Sequence, residues 1–363
     1  MSRSLKCVTL SLLALAVAAP AARSETTRTL KLEMAAGSPF AVENLAGKMR
    51  VVQGSGDKVV ATAVIHAESD EIAKLVRFEQ VSGEKGAPTL RVIYPTDTYS
   101  TFRYPAQAED GGSWLGSLLG GSSTSTEYAG KRVKVSDKGG VLLYADLEVR
   151  LPRRALEATF RNLIGKIEGE GVEGTLLFDA ASADTELTNL RGKISVDTGS
   201  GDVHATGIDG NFSADCGSGD IELSEFTGEG IDCDVGSGDV SLQNVVARRI
   251  NVDTGSGDVE VTGADVEEFQ ADCGSGDITL MARGERLARV SVDSSSGDVW
   301  LGLGPAASFE AVADMSSGDI TSRYPDAEPI RDDGEVVGYR RGSARTKIHV
   351  NTGSGDLLIE PGR

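Results

Sequence analysis

The stretch Ile194-Ser195-Val196-Asp197-Thr198-Gly199-Ser200-Gly201-Asp202-Val203 decides the fold. Apolar and polar side chains alternate before the turn, and an apolar residue follows it. Period-two alternation marks a strand with one face in and one face out. The same turn recurs with its Asp at Asp202, Asp220, Asp239, Asp258, Asp277, Asp298, Asp319 and Asp356. The intervals are 18, 19, 19, 19, 21, 21 and 37 residues. A period of about 20 residues marks a solenoid, in which one supersecondary unit stacks on the next. The expected fold is all-β: a parallel β-solenoid of about ten rungs, each of 18–21 residues.

Aligned on the motif Asp, the rungs share columns. Ile194, Phe212, Ile231, Ile250, Phe269, Val290 and Ile348 form one apolar column, and Val196, Ala214, Cys233, Val252, Ala271, Val292, Ala313 and Val350 form a second. Between turn and strand runs an acidic column: Asp179, Asp197, Asp215, Asp234, Asp253, Asp272, Asp293 and Asp314, with Asn351 in the last rung. Leu190, Ile208, Phe226, Val246, Val266 and Leu287 are expected to cap the looser second turn. The glycines allow positive φ at the first corner. Each motif Asp is expected to bond N–H groups of its own turn.

The register continues upstream in worn form through Phe178-Asp179-Ala180 and Asn162-Leu163-Ile164-Gly165-Lys166. The solenoid domain is therefore assigned to 156–360, after a β-rich cap at 25–155 that closes the first rung. Residues 70–79 carry a short helix pattern with Ser69 or Asp70 as N-cap. Residues 95–130 read as a mobile Gly/Ser-rich loop. Its apolar island Trp114, Leu115, Leu118 and Leu119 either folds back onto the cap or docks a partner or membrane surface. The interval between Asp319 and Asp356 holds a polar insertion at 322–345, expected as a loop or hairpin protruding from one side.

Residues 1–24 read as a secretory signal. Arg3 and Lys6 are followed by an apolar run and by the small-residue cleavage site Ala22-Arg23-Ser24. No second long apolar run follows, so the exported chain is expected to be soluble, in the periplasm or at the cell surface. The net charge is −19, and three units more negative without Arg3, Lys6 and Arg23. That argues against nucleic-acid partners and anionic lipid, which attract Lys/Arg patches.

Three cysteines lie past residue 24: Cys216, Cys233 and Cys273. Cys216 and Cys273 sit three rungs apart, roughly 14 Å at the strand spacing. Cys233 lies diagonal to Cys216, roughly 8 Å away, beyond the span of a disulfide. All three are expected to be free, buried, small hydrophobes.

Phe40-Ala41-Val42-Glu43-Asn44-Leu45-Ala46-Gly47-Lys48-Met49-Arg50-Val51, then Leu147-Glu148-Val149-Arg150-Leu151-Pro152, then the Gly-Ser-Gly-Asp-Val rungs resemble the bacterial DUF4097 family, whose members carry an adhesin label. The resemblance spans about residues 27–360. It implies a parallel β-solenoid at the cell envelope and offers no catalytic residue or cofactor to carry over.

The residues themselves supply no convergent catalytic set. His66, His204 and His349 fall in three distant places. The primary expectation is an exported, non-enzymatic envelope scaffold or adhesin-like surface, without a cofactor, whose partner is an envelope protein or glycan. Two alternatives stand beside it. Asp-bearing glycine repeats also bind Ca²⁺, which makes Asp202, Asp220, Asp239, Asp258 and Asp277 the candidate ligands. Parallel β-helices also host polysaccharide-active enzymes, which would need irregular Asp, Arg or Lys on one face.

Overall fold

Each repeat contributes two strands to a stack that is hydrogen-bonded from rung to rung. A computed structural model describes residues 25–37, 39–105 and 123–362. The strand before the motif turn lies on one sheet, as in Arg191–Thr198, Asp209–Ser218 and Thr227–Ser237. The strand after it lies on the other, as in Val203–Thr206, Ile221–Ser224 and Val240–Gln243. Neighbouring copies pair in parallel and in register: Ile194 opposes Phe212, which opposes Ile231, then Ile250 and Phe269. Both apolar columns point inward from this first sheet and are buried against Val203, Ile221, Val240, Val259 and Ile278 of the other. A fully buried Phe, Ile or Val contributes about 1.5–3 kcal/mol, so every rung adds its own share of core.

Counted among the described residues, ten rungs run from Leu156–Glu170 to the end of the stack. The stacking also continues below residue 156. Phe40–Gln53 lies parallel to Leu156–Glu170, with Asn44 opposite Asn162 and Gly47 opposite Gly165. Below it, Pro88–Ile93 and Val141–Leu151 pair in parallel with its two halves. These early corners lack the glycine motif and use buried asparagines instead. Asn162 Nδ2 donates to Gly47 O at 2.7 Å, and Asn44 Nδ2 donates to Asn162 Oδ1 at 2.8 Å. The rest of this end is antiparallel: Thr26–Ala35 pairs with Lys58–Ala67, which pairs with Val141–Leu151.

Several expectations change here. The helix spans only Asp70–Leu75, with Ser69 Oγ accepting the Ile72 N–H. Arg77–Ser82 forms a strand antiparallel to Pro88–Ile93, in which Phe78, two residues past the buried Val76, points inward with strand parity. The segment expected as a loop at 95–130 contains the strands Thr101–Arg103 and Ser123–Tyr128, the latter paired with Lys131–Ser136. The second corner is capped by Leu190, Ile208 and Phe226, then by Val245 and Ala264 rather than Val246 and Val266. Residues in the left-handed region at Asn189, Gly207, Glu225, Asn244 and Gly263 turn the chain there, and they set the register that alignment on the motif Asp misjudged.

The largest change concerns order. Thr346–Ser354 pairs on one edge with Arg289–Ser296 and on the other with Phe309–Ser317. Leu357–Pro361 likewise lies between Val299–Leu303 and Ile320–Ser322. The last rung in sequence is therefore next to last in space. The insertion at 322–345 does not protrude. It forms the hairpin Glu328–Asp332 and Glu335–Arg341, whose second strand pairs antiparallel with Phe309–Ser317. That covers a strand edge that would otherwise be open.

Candidate functional site

The motif aspartates form a continuous ladder along the front corner. The backbone N–H of each motif Asp donates to Oδ1 of the motif Asp one rung earlier: Asp220 to Asp202 at 3.1 Å, Asp239 to Asp220 at 2.9 Å, Asp258 to Asp239 and Asp277 to Asp258 at 2.8 Å. Asp184 begins the ladder by accepting from Asp202 at 3.1 Å, and Lys166 holds the position before it. The expectation that each Asp bonds its own turn is thus corrected. The second motif glycine has positive φ, +151° at Gly238; its N–H and the preceding Ser237 carbonyl stay in the ladder, bonding Ser256 O and the Gly219 N–H, while the Asp239 N–H turns to the Asp220 carboxylate. The carboxylate supplies the acceptor that the corner would otherwise lack.

Stacking crowds both motif glycines. A Cβ on Gly238 would stand 2.2 Å from Gly219 O, and one on Gly236 would stand 2.5 Å from Gly217 O. Ser295 and Ser316 occupy the first glycine position in later rungs, so it is the second glycine, with positive φ and the backbone of its own copy close by, that the turn requires.

The second acidic column stands outward on the first sheet in the expected register, from Asp179 through Asp293 to Asn351 and Asp314. Its two ends are neutralised. Arg161 Nη2 lies 2.6 Å from Asp179 Oδ2, and Asn351 Nδ2 donates to Asp293 Oδ1 at 3.1 Å. Among the described residues no ion pair reaches Asp197, Asp215, Asp234, Asp253 or Asp272. Partial burial, then the charges of Asp179 and Asp215, raise the pKa of Asp197. Partial burial, then Asp272 and Asp234, raise that of Asp253. A shallow depression of about 450 Å³ runs along this column, lined by Asp197, Asp215, Asp232, Asp234 and Asp253 with Ser195 and Ser213. The motif aspartates do not line it, so the two acidic columns do not share one groove. Among the described residues, no three His, Cys, Asp or Glu side chains converge as a metal cage.

The outer face of the second sheet carries a mixed column: His204, Glu222, Ser241, Glu260, Thr279, Trp300, Leu358. Trp300 is 41 % exposed, an indole on a face that is otherwise mostly polar. Sequence reasoning passed over it. Its signal was an aromatic one residue past Val299, at an outward position.

The histidines are indeed apart. His204 Nδ1 lies 3.0 Å from Glu222 Oε2 on the second sheet. His66, at the antiparallel end, has Nδ1 2.6 Å from Glu25 Oε1 and Nε2 3.1 Å from Asp146 Oδ2, with its ring stacked on Tyr144 at 4.4 Å. Burial opposes its charge, but the bonds to Asp146 and Glu25 and their negative charges outweigh it and raise its pKa. A buried carboxylate that sequence reasoning missed, Glu43, pairs with Arg91 and lies 3.9 Å from Arg161. Glu43 and Arg161 border a groove of about 560 Å³ between the first rungs and the Glu84–Thr89 turn.

The three cysteines are free and buried. Trp114, Leu115, Leu118 and Leu119, and the signal segment 1–24, lie outside the described residues. Among the described residues no helix is long and apolar enough to cross a membrane.

The profile of the Toastrack DUF4097 family matches residues 147–360, more than half of the chain. No curated protein matches. Among solved structures, a candidate adhesin of Parabacteroides distasonis is 9 % identical, covering 91 % of this chain and 97 % of its own at a TM-score of 0.39. A candidate adhesin of Parabacteroides merdae is 10 % identical, covering 92 % and 95 % at 0.35. A candidate lipid-binding protein of Parabacteroides distasonis is also 10 % identical, covering 92 % and 95 % at 0.34. Scores this low carry no argument about function.

Proposed function

From membership of the Toastrack DUF4097 family, to which this chain belongs, we propose that it is an exported, non-enzymatic scaffold of the cell envelope, binding a glycan or an envelope protein along its outer sheet faces. Family and fold do not name a ligand, so the role is argued from the surface. The observation that carries it is the arrangement of outward side chains in columns rather than around a point. Chemistry repeats every rung, about 4.8 Å, over the length of the stack. Such a surface suits an extended partner held by many weak contacts, whose sum exceeds any one of them. Trp300, exposed beside Thr279 and Leu358, offers a flat apolar anchor on that face. Catalysis needs distinct groups converging within hydrogen-bond reach of one substrate atom. The histidine with two carboxylate neighbours, His66, has both ring nitrogens engaged by them.

The test is retention of purified envelope polysaccharides and envelope proteins by the immobilised chain from residue 25, with Trp300→Ala alongside. Binding that weakens several-fold in Trp300→Ala supports the reading. Turnover of a retained polysaccharide would replace it with an enzymatic one.

A further inference from the structure

The rung formed by Thr346–Ser354 and Leu357–Pro361 lies between two rungs that precede it in the chain. Both edges of its slot are therefore built without it, by residues 289–303 on one side and 309–322 on the other. The slot is specific for this rung. Ile348, Val350, Thr352, Leu357 and Ile359 fill it from the inside. Asp356 joins the corner ladder in both directions: its N–H donates to Asp298 Oδ1 at 2.8 Å, and its Oδ1 accepts from Asp319 N–H at 2.9 Å. Asn351 replaces the column Asp and donates to Asp293 at 3.1 Å, so its neighbours meet an amide instead of a third carboxylate.

The rung joins the preceding hairpin through Gly342–Arg345. That connection is short and strained. The strain sits at Ala344, whose φ of +55° is a conformation that a residue with a Cβ rarely adopts, while Gly342 takes φ +61° without that cost. Short strained hinges favour exchange of the element beyond them, because opening the hinge releases strain while every contact of the element re-forms in a second copy.

We propose that residues 346–361 exchange between copies of this chain, each copy seating its last rung in the slot of the other through an opened hinge at 342–345. The partner is identified by complementarity: the residues that fill the slot are those each copy carries. The contacts within the slot are the same in the closed and exchanged forms. The balance is set by hinge strain against the high effective concentration of a rung tethered to its own slot. Exchange therefore rises with protein concentration, and most of all when chains fold together. The proposal is independent of the binding role above, although an exchanged pair would present two sets of outer faces.

The experiment uses the chain from residue 25 with Ser296→Cys and Ser354→Cys, which oppose each other across the slot edge. The chain is refolded under reducing conditions at low and high micromolar concentration, then oxidised once Cys216, Cys233 and Cys273 are buried. In the closed form the new disulfide lies within one chain, and in the exchanged form it joins two. The expected result is a covalent dimer whose fraction rises with concentration. Ala344→Gly, which relieves the hinge, should lower that fraction several-fold. Deleting Ser343 and Ala344, which leaves too little chain to turn back, should make the dimer the main species. Intrachain disulfides alone, at every concentration and in all three hinges, would overturn the proposal. An unchanged dimer fraction in Ala344→Gly would overturn the role given to the hinge. Because the engineered thiols could perturb folding, isotope-labelled and unlabelled wild-type chains are also refolded together and examined by native mass spectrometry. Mixed dimers that form on refolding together but not on mixing chains already folded support exchange, and monomers alone, or equal mixing of folded chains, refute it.

Discussion

The backbone N–H of Asp258 is bonded to the carboxylate of Asp239, nineteen residues earlier, at 2.8 Å. A turn residue that would ordinarily serve its own loop is instead part of the joint between rungs. Asp239→Ala removes the acceptor from Asp258 and should destabilise by about 0.5–1.5 kcal/mol, the usual net worth of one hydrogen bond. Asp239→Asn keeps an acceptor oxygen and should recover most of the loss. Equal losses in urea melts of the two variants would mean that charge, not the acceptor, matters.

Gly238 combines φ +151° with a would-be Cβ contact of 2.2 Å to Gly219 O. Gly238→Val should therefore cost about 1–3 kcal/mol or more, since strain and backbone displacement add. A melt within error of wild type would show that the corner can relax.

The outward column loses stability to repulsion between its own charges. Each neighbouring pair at rung spacing repels by about 1 kcal/mol in water, less with screening salt. Asp253→Asn should therefore raise the melting temperature, most at low ionic strength. A large stabilisation of wild type by millimolar Ca²⁺, lost in Asp253→Asn, would instead make this column a cation site.

His66 links pH to the antiparallel end. Its folded pKa is raised above the ordinary 6.5 by Asp146 and Glu25, against the effect of burial. The stability it contributes is complete below pH 6.5 and drains away as pH rises through the folded pKa. In His66→Gln the stability profile from denaturant melts should lose that decline. An identical decline in the variant would assign the pH dependence to other groups.

The thiols should be inert in the native state. Burial is the main reason that Cys216 is pushed up to about 11 and Cys233 to about 12. Thiol reagent at neutral pH should leave Cys216, Cys233 and Cys273 unmodified until denaturant is added. Rapid labelling of folded protein, or a Cys216–Cys233 bridge found by mass spectrometry, would contradict the register.

The sequence by itself determined what each position of a rung does. Alternation put Ile194, Phe212 and Ile231 inward and Asp197, Asp215 and Asp234 outward, because side-chain direction in a strand depends only on local parity. The glycine turn fixed the front corner for the same local reason. The tertiary structure alone decided which copy meets which. All rungs present nearly the same edge, so local pattern cannot distinguish the rung at 309 from the rung at 346 as the neighbour of residues 289–303. That choice was made by the hairpin at 328–341, which pairs with Phe309–Ser317, and by the Asp356 and Asn351 contacts that seat the last rung beneath it. The acceptor of the Asp ladder was hidden likewise. A carboxylate can reach its own turn or the next rung, and only the stacked backbone, with each N–H directly against the neighbouring Asp, selects the second.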